Sequence, residues 1–114
     1  MLNAEMETVI MKLIVDAGSA KSYAMEAIRM AKESDFSGAG EALGNANSDL
    51  SRAHHAQTDL IQRAAKGEEI EINLFMVHAQ DHIMTAMLAR DLSREIVELY
   101  KKLGEQYESY IQRG

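Results

Sequence analysis

Residues 74–103 read LFMVHAQDHIMTAMLARDLSREIVELYKKL, and this stretch decides the fold. Its apolar residues recur every three to four positions, which is the period of an α-helix. They form two stripes. The first stripe comprises Met76, Ala79, Ile83, Met87 and Val97. The second stripe follows a coiled-coil spacing and comprises Leu74, His78, Asp81, Thr85, Leu88, Leu92, Ile96, Leu99 and Leu103. A helix with two such faces needs two sets of partners.

Two further helices precede this one in the chain. The same periodicity predicts helices over residues 3–32 and 36–66, and it extends the third over residues 74–111. The chain has no proline and few aromatic residues, whereas alanine, methionine, leucine and glutamate are common. This composition is typical of all-α proteins. We therefore predict a single all-α domain over residues 1–114, in which the first stripe packs on the two other helices.

Residues at the predicted helix ends agree with these bounds. Asp35 or Ser37 can cap the second helix, Lys66 followed by Gly67 is typical of its end, and Asn73 can cap the third. Three further glycines lie early in the second helix, where they weaken it. They match no phosphate-binding loop, so close approach of two helices is the favoured explanation. These glycines are Gly38, Gly40 and Gly44.

Charge and composition exclude several classes of function. The net charge is −6, so no basic surface is available to bind nucleic acid or an anionic membrane. The absence of cysteine excludes disulfides, thiolate nucleophiles and cysteine-ligated zinc. The N-terminal residues MLNAEMETVI do not resemble a secretory signal, and charged residues interrupt every apolar run. We therefore expect a cytoplasmic protein without a membrane span.

The second stripe predicts self-association. A chain of 114 residues has little core relative to its surface, and a homo-oligomer with the third helices at its centre would cover this stripe. Asp81 interrupts the stripe, and symmetry would bring several copies of its carboxylate together. Such carboxylates repel each other unless they are protonated or bind a divalent cation. The alternative is that Asp81 faces solvent and pairs with a nearby lysine or arginine.

His78, Asp81 and His82 lie within five residues on one helix face, and three interpretations are open for them. The most common fate of a histidine on a helix is a satisfied, partly buried side chain. A zinc protease needs HExxH, but the residue after His78 is alanine. The third interpretation is nucleophilic attack by an accessible imidazole on phosphorus. Since no nucleotide-binding motif is present, other proteins would have to donate and accept the phosphoryl group.

At these residues the sequence resembles a known family. VHAQDHIMTAMLARDLSREIVELYKKL, residues 77–103, is similar to the third helix of the lactose/cellobiose-type enzyme IIA of the bacterial sugar phosphotransferase system (PTS). Residues 17–36 resemble the first helix and turn of that family, and residues 53–61 its second helix. The histidine motif is closer to the cellobiose/diacetylchitobiose branch than to the lactose branch. The last residues, GEQYESYIQRG, extend beyond the usual family end.

The resemblance implies an antiparallel three-helix bundle that forms a homotrimer, with the third helices around the threefold axis. It implies that His78 accepts a phosphoryl group from the phosphocarrier protein HPr and passes it to a cysteine of enzyme IIB, during uptake of a β-linked disaccharide such as cellobiose, diacetylchitobiose or lactose. It also implies one divalent metal ion per trimer, for which Mg²⁺ is the default, bound by Asp81. Gln80 and His82 flank the acceptor and are candidates for holding the phosphoryl group. His54 and His55 are interpreted as surface or packed imidazoles.

Two alternative functions remain open at the level of sequence. One is a histidine-phosphotransfer module of a two-component relay, although the usual His-x-Leu-Lys-Gly context is absent. The other is a non-catalytic helical adaptor in which the histidine and aspartate side chains are structural.

Overall fold

The computed structural model describes residues 4–113, which form three helices. They are α1 (Ala4–Lys32), α2 (Phe36–Ala65) and α3 (Leu74–Arg113). Residues 33–35 and 66–73 connect them, so successive helices run antiparallel. The prediction of an all-α antiparallel three-helix bundle is confirmed, and the observed ends differ from the predicted ones by at most two residues. The predicted first residue, Asn3, lies outside the described range.

Small side chains dominate the core. Eleven of its nineteen buried apolar residues are alanines, which allow the helix axes to approach closely over most of their length. One cluster joins the first half of α1, the second half of α2 and the start of α3. The other joins the end of α1, the start of α2 and Val97. The first stripe of α3 supplies Met76, Ala79, Ile83 and Val97 to these clusters, as predicted.

The turn between α1 and α2 is built around Asp35. Ser34 has a φ of +64°, and its N–H and that of Asp35 donate to the carbonyls of Ala31 and Met30. This is a Schellman motif with serine in the position that glycine usually occupies. The Asp35 carboxylate then accepts a hydrogen bond of 2.9 Å from the Gly38 N–H. Asp35 thus ends one helix and caps the next, whereas Ser37 lies inside α2.

The three glycines of α2 do not have the predicted role. A Cβ at Gly40 or Gly44 would meet nothing within 4 Å, so close approach of helices within the chain does not explain them. A Cβ at Gly38 would lie within 3 Å of the Asp35 side chain. Glycine at this position is therefore explained by the cap. The structure gives no reason for glycine at the other two positions.

The cap can be tested by Asp35→Ala. We expect this change to lower the free energy of unfolding by about 1 kcal/mol, because the Gly38 N–H loses its acceptor. Urea denaturation followed by circular dichroism measures the effect. The matched control is Ser37→Ala, since Ser37 is exposed and caps nothing. Equal losses in the two variants would contradict the assignment of the cap to Asp35.

The second connection uses the predicted residues. Gly67 has a φ of +93°, and the N–H groups of Gly67 and Glu68 donate to the carbonyls of Ala64 and Arg63, which is again a Schellman motif. The Arg63 guanidinium also binds the Glu68 carboxylate, and this hydrogen bond lowers the pKa of Glu68. At the start of α3, the Asn73 side chain accepts a hydrogen bond of 3.0 Å from the Met76 N–H, as predicted.

The second stripe of α3 is uncovered in a single chain. Its leucines are each at least half exposed, and only Ile96 is partly buried. Lys101 still lies over the Phe36 ring of α2, but residues 101–113 contain no buried side chain, so the end of α3 adds nothing to the core. Within the described range, no helix combines the length and hydropathy needed to cross a membrane. The exposed leucines are Leu74, Leu88, Leu92, Leu99 and Leu103.

Candidate functional site

The helical repeat separates the four polar residues of the motif. Each residue of an α-helix is rotated by about 100° from the one before it. His78 and His82 therefore lie almost above one another, and Asp81 lies to one side of them. Gln80 is roughly 160° from His78 around the helix. His78, Asp81 and His82 thus share one side of α3. Gln80 faces the interior of the bundle.

The rings of His78 and His82 are in direct contact. Their centroids are 4.4 Å apart and their planes are perpendicular. The His78 side chain is exposed, and neither of its ring nitrogens has a hydrogen-bond partner within residues 4–113. A neutral imidazole in this state has a lone pair on one nitrogen that solvent or another molecule can reach. His78 can therefore act as a nucleophile without first breaking an internal hydrogen bond.

His82 is held by a contact from another helix. The Lys21 ammonium of α1 lies 3.4 Å from the His82 Nδ1 atom. Partial burial lowers the pKa of His82, and the positive charge of Lys21 lowers it further. Both effects favour the neutral ring. His82 thus differs from His78 in having one nitrogen occupied and in being partly buried.

Gln80 belongs to a second polar contact, between α2 and α3. The Gln57 side-chain N–H donates to the Gln80 Oε1 atom at 2.8 Å and also lies 3.9 Å from the Met84 sulfur. The Gln80 amide in turn lies 3.7 Å from the Met76 sulfur. Gln57 is buried, so this hydrogen bond satisfies a side chain that water reaches poorly. The contact fixes α3 against α2 immediately behind the histidines.

Asp81 faces away from the bundle. Its side chain is exposed, and no lysine or arginine forms an ion pair with it in the part of the chain that the structure describes. In the single chain, Asp81 therefore faces solvent, as one of the two interpretations predicted, but without the ion pair to a lysine or arginine that this interpretation included. No group of three histidine, cysteine or carboxylate side chains within residues 4–113 could hold a metal ion. A metal site at Asp81 would need ligands from other copies of the chain.

Exposed apolar side chains precede and follow His78 along α3. The neighbouring residues on α3 that are large, apolar and exposed are Leu74, Phe75, Val77 and Met84. Their exposure ranges from 46% to 80%, which is high for side chains of this type. A polar nucleophile flanked by exposed apolar side chains is suited to contact with another protein.

Sequence reasoning found the α3 residues but missed those that contact them. Lys21 gave no signal, because it stands on another helix, 61 positions from its partner. Gln57 did give one, since it is a polar residue within the apolar stripe of α2. His54 and His55 are both exposed on α2, in agreement with the interpretation as surface imidazoles.

Comparison with known proteins agrees with the resemblance seen in the sequence. The family model described as "PTS system, Lactose/Cellobiose specific IIA subunit" matches residues 8–101. The lichenan-specific phosphotransferase enzyme IIA component of Bacillus subtilis (strain 168) is 50% identical over 105 residues, which cover 92% of this chain and 96% of the relative.

Solved structures agree in fold as well as in sequence. The PTS cellobiose-specific enzyme IIA from Bacillus anthracis superposes with a TM-score of 0.87 at 42% identity, covering 92% of this chain and 95% of that structure. The IIA(Chitobiose) chain in a complex with HPr, from the N,N'-diacetylchitobiose branch of the Escherichia coli phosphotransferase system, gives a TM-score of 0.76 at 42% identity. That match covers 90% of this chain and 99% of the other.

Proposed function

The chain belongs to the lactose/cellobiose-specific IIA family of the sugar phosphotransferase system, and from this we propose that it carries a phosphoryl group on His78 from phospho-HPr to a cysteine of its cognate enzyme IIB. One observation carries the choice of residue. His78 is exposed, and residues 4–113 offer no hydrogen-bond partner to either of its ring nitrogens, whereas the neighbouring His82 has its Nδ1 atom engaged by Lys21. Only His78 therefore offers an unoccupied lone pair in the motif.

The chemistry that we propose consists of two transfers. In the first, a ring nitrogen of His78 attacks the phosphorus of phospho-HPr; a new P–N bond forms as the P–N bond to the donor histidine breaks, and the donor imidazole leaves. In the second, a thiolate of enzyme IIB attacks the phosphorus on His78, and the His78 imidazole leaves. The chain contributes mainly positioning and stabilisation of charge.

The surroundings of His78 support a docking partner. HPr binds the chitobiose relative in the Escherichia coli complex, and we propose that it docks here through the exposed apolar residues around His78. Because enzyme IIB must reach the same atom, its footprint overlaps that of HPr, and both contacts are transient. The sugar that we propose is a β-linked disaccharide such as cellobiose, diacetylchitobiose or lactose. Relatives are named for lichenan, cellobiose and diacetylchitobiose.

The two flanking residues take different parts in this proposal. His82 contacts the acceptor ring and can donate a hydrogen bond to the phosphoryl group. Gln80 is on the far side of the helix, bonded to Gln57, so it supports the site by fixing α3 rather than by contact with phosphate.

We also propose that three chains assemble with their α3 helices around a threefold axis. The part of the second stripe from Asp81 onward is the surface buried in this assembly, and its leucines are at least half exposed among residues 4–113 of the single chain. Asp81 lies on the stripe, exposed and without an ion pair, so three copies would bring three carboxylates together. Carboxylate oxygens are the ligands that Mg²⁺ and similar hard cations prefer. Asp81 therefore fits one divalent metal ion per trimer, whose charge would offset the repulsion.

Reconstitution tests the function directly. After incubation with phosphoenolpyruvate, enzyme I and HPr, we expect one acid-labile phosphate per chain by mass spectrometry, because His78 is the proposed acceptor and lies in the surface to which HPr would dock. Adding enzyme IIB should then remove the label as the cysteine accepts it. Omitting HPr is the control. No labelling in the complete mixture would favour the adaptor alternative, and labelling only by a histidine kinase would favour the two-component alternative.

A further inference from the structure

The contact between Lys21 and His82 favours one tautomer of His82 over the other. Lysine has only N–H donors, so at the 3.4 Å contact the Nδ1 atom of His82 must be the acceptor. A neutral histidine has one protonated and one unprotonated nitrogen. With Nδ1 accepting, the proton lies on Nε2. The ring of His82 is thus a hydrogen-bond donor on the side away from Lys21.

Lys21 differs from the two other partly buried basic residues of the described range, Arg63 and Arg90. Its side chain is partly buried, and its ammonium forms no ion pair with a carboxylate in the range 4–113. In contrast, Arg52, Arg63 and Arg90 each contact at least one aspartate or glutamate. Among residues 4–113, the polar group that the Lys21 ammonium contacts is the His82 ring.

We infer that Lys21 is a positioning residue for phosphoryl transfer: its hydrogen bond to Nδ1 holds His82 in the Nε2–H tautomer and aims that donor at the phosphoryl group on His78. This inference rests on the proposed function and adds a residue of α1 to a site otherwise built on α3. The contact between the two histidine rings places the His82 ring directly beside His78. The same hydrogen bond leaves His82 without a free lone pair, so the two histidines cannot exchange roles as nucleophile.

Without the contact to Lys21, His82 should no longer be held in a single tautomer. In Lys21→Met, we expect the ¹⁵N spectrum of His82 at pH 8 to change from a single Nε2–H form to a mixture of tautomers. The single-turnover rate of phosphoryl acceptance at saturating phospho-HPr should fall on the order of tenfold, the low end of what losing the partner that orients a histidine costs at metal sites. Saturating phospho-HPr separates the rate of phosphoryl transfer from the affinity of docking. Under these conditions every chain has phospho-HPr bound, even in a variant that binds it more weakly.

Two variants serve as controls. Lys21→Arg keeps a long cationic donor and should restore both the tautomer and most of the rate. Lys32→Met removes one charge from the exposed end of α1, about 16 Å further along the helix, and should change neither. A tautomer in Lys21→Met that matches wild type, or a rate that matches Lys32→Met, would overturn the inference. A wild-type chain that takes no phosphoryl group would instead overturn the proposed function, and the ¹⁵N spectra would still decide whether Lys21 sets the tautomer.

Discussion

We expect replacement of His78 by glutamine to abolish phosphoryl acceptance from phospho-HPr, because no other histidine of the motif has a free nitrogen to attack phosphorus. Glutamine is a good helix former, and the His78 side chain is exposed. The helix content and the midpoint of thermal unfolding should therefore change little. Circular dichroism checks the fold, and the rate of acid-labile labelling measures the transfer.

Two further variants identify the role of the residue. His54→Gln removes an exposed histidine from α2 and should be phosphorylated at the wild-type rate. His82→Ala removes the neighbouring ring and should slow labelling without abolishing it, since the nucleophile remains. Labelling of His78→Gln at the wild-type rate would show that the acceptor is another residue. Loss of all labelling in His82→Ala, with retention in His78→Gln, would reverse the two assignments.

The helices could be predicted closely because their signals are local. Periodicity, caps and the glycine at a helix end all act within a few residues, and the structure confirms Asn73, Gly67 and the choice between Asp35 and Ser37. The prediction for the early glycines of α2 was wrong for a related reason. Gly38 is required because a Cβ there would clash with the Asp35 side chain that caps the helix, which is a local effect. Close approach of two helices depends instead on segments that are distant in sequence.

The site could be predicted only in part. His78, Asp81 and His82 share one helix, so the helical repeat alone places them together. The contact from Lys21 depends on how α1 is rotated and shifted against α3, and no short-range pattern records that register. Gln57 could have been recognised as a polar residue in an apolar stripe, but its partner Gln80 could not. Residues that share a face of one helix could thus be identified from the sequence, whereas the contacts between helices could be identified only from the structure.

Leu92→Lys is expected to convert the proposed trimer into folded monomers. Leu92 lies in the second stripe and is 53% exposed in the single chain, so the change leaves the bundle core intact. In the trimer it would remove three buried leucines, at about 1.5–3 kcal/mol each, and place three like charges together. A loss of about 5 kcal/mol weakens association by more than roughly a thousandfold. Sedimentation velocity measures the result, and Val15→Lys, on the exposed face of α1, is the matched control.

A substitution at Asp81 separates the effect of the proposed metal ion from that of the seam, which is the interface between the α3 helices in the proposed trimer. Three uncompensated carboxylates in a buried seam would oppose assembly, so a chelator such as EDTA should weaken the wild-type trimer. In Asp81→Leu the repulsion is absent and the stripe becomes more apolar, so we expect a trimer that sediments identically with and without EDTA. A wild-type chain that sediments as a monomer in millimolar Mg²⁺ would contradict both the seam and the metal site. A wild-type trimer that is indifferent to EDTA would contradict the metal alone, because the leucines of the second stripe would then suffice to hold the chains together.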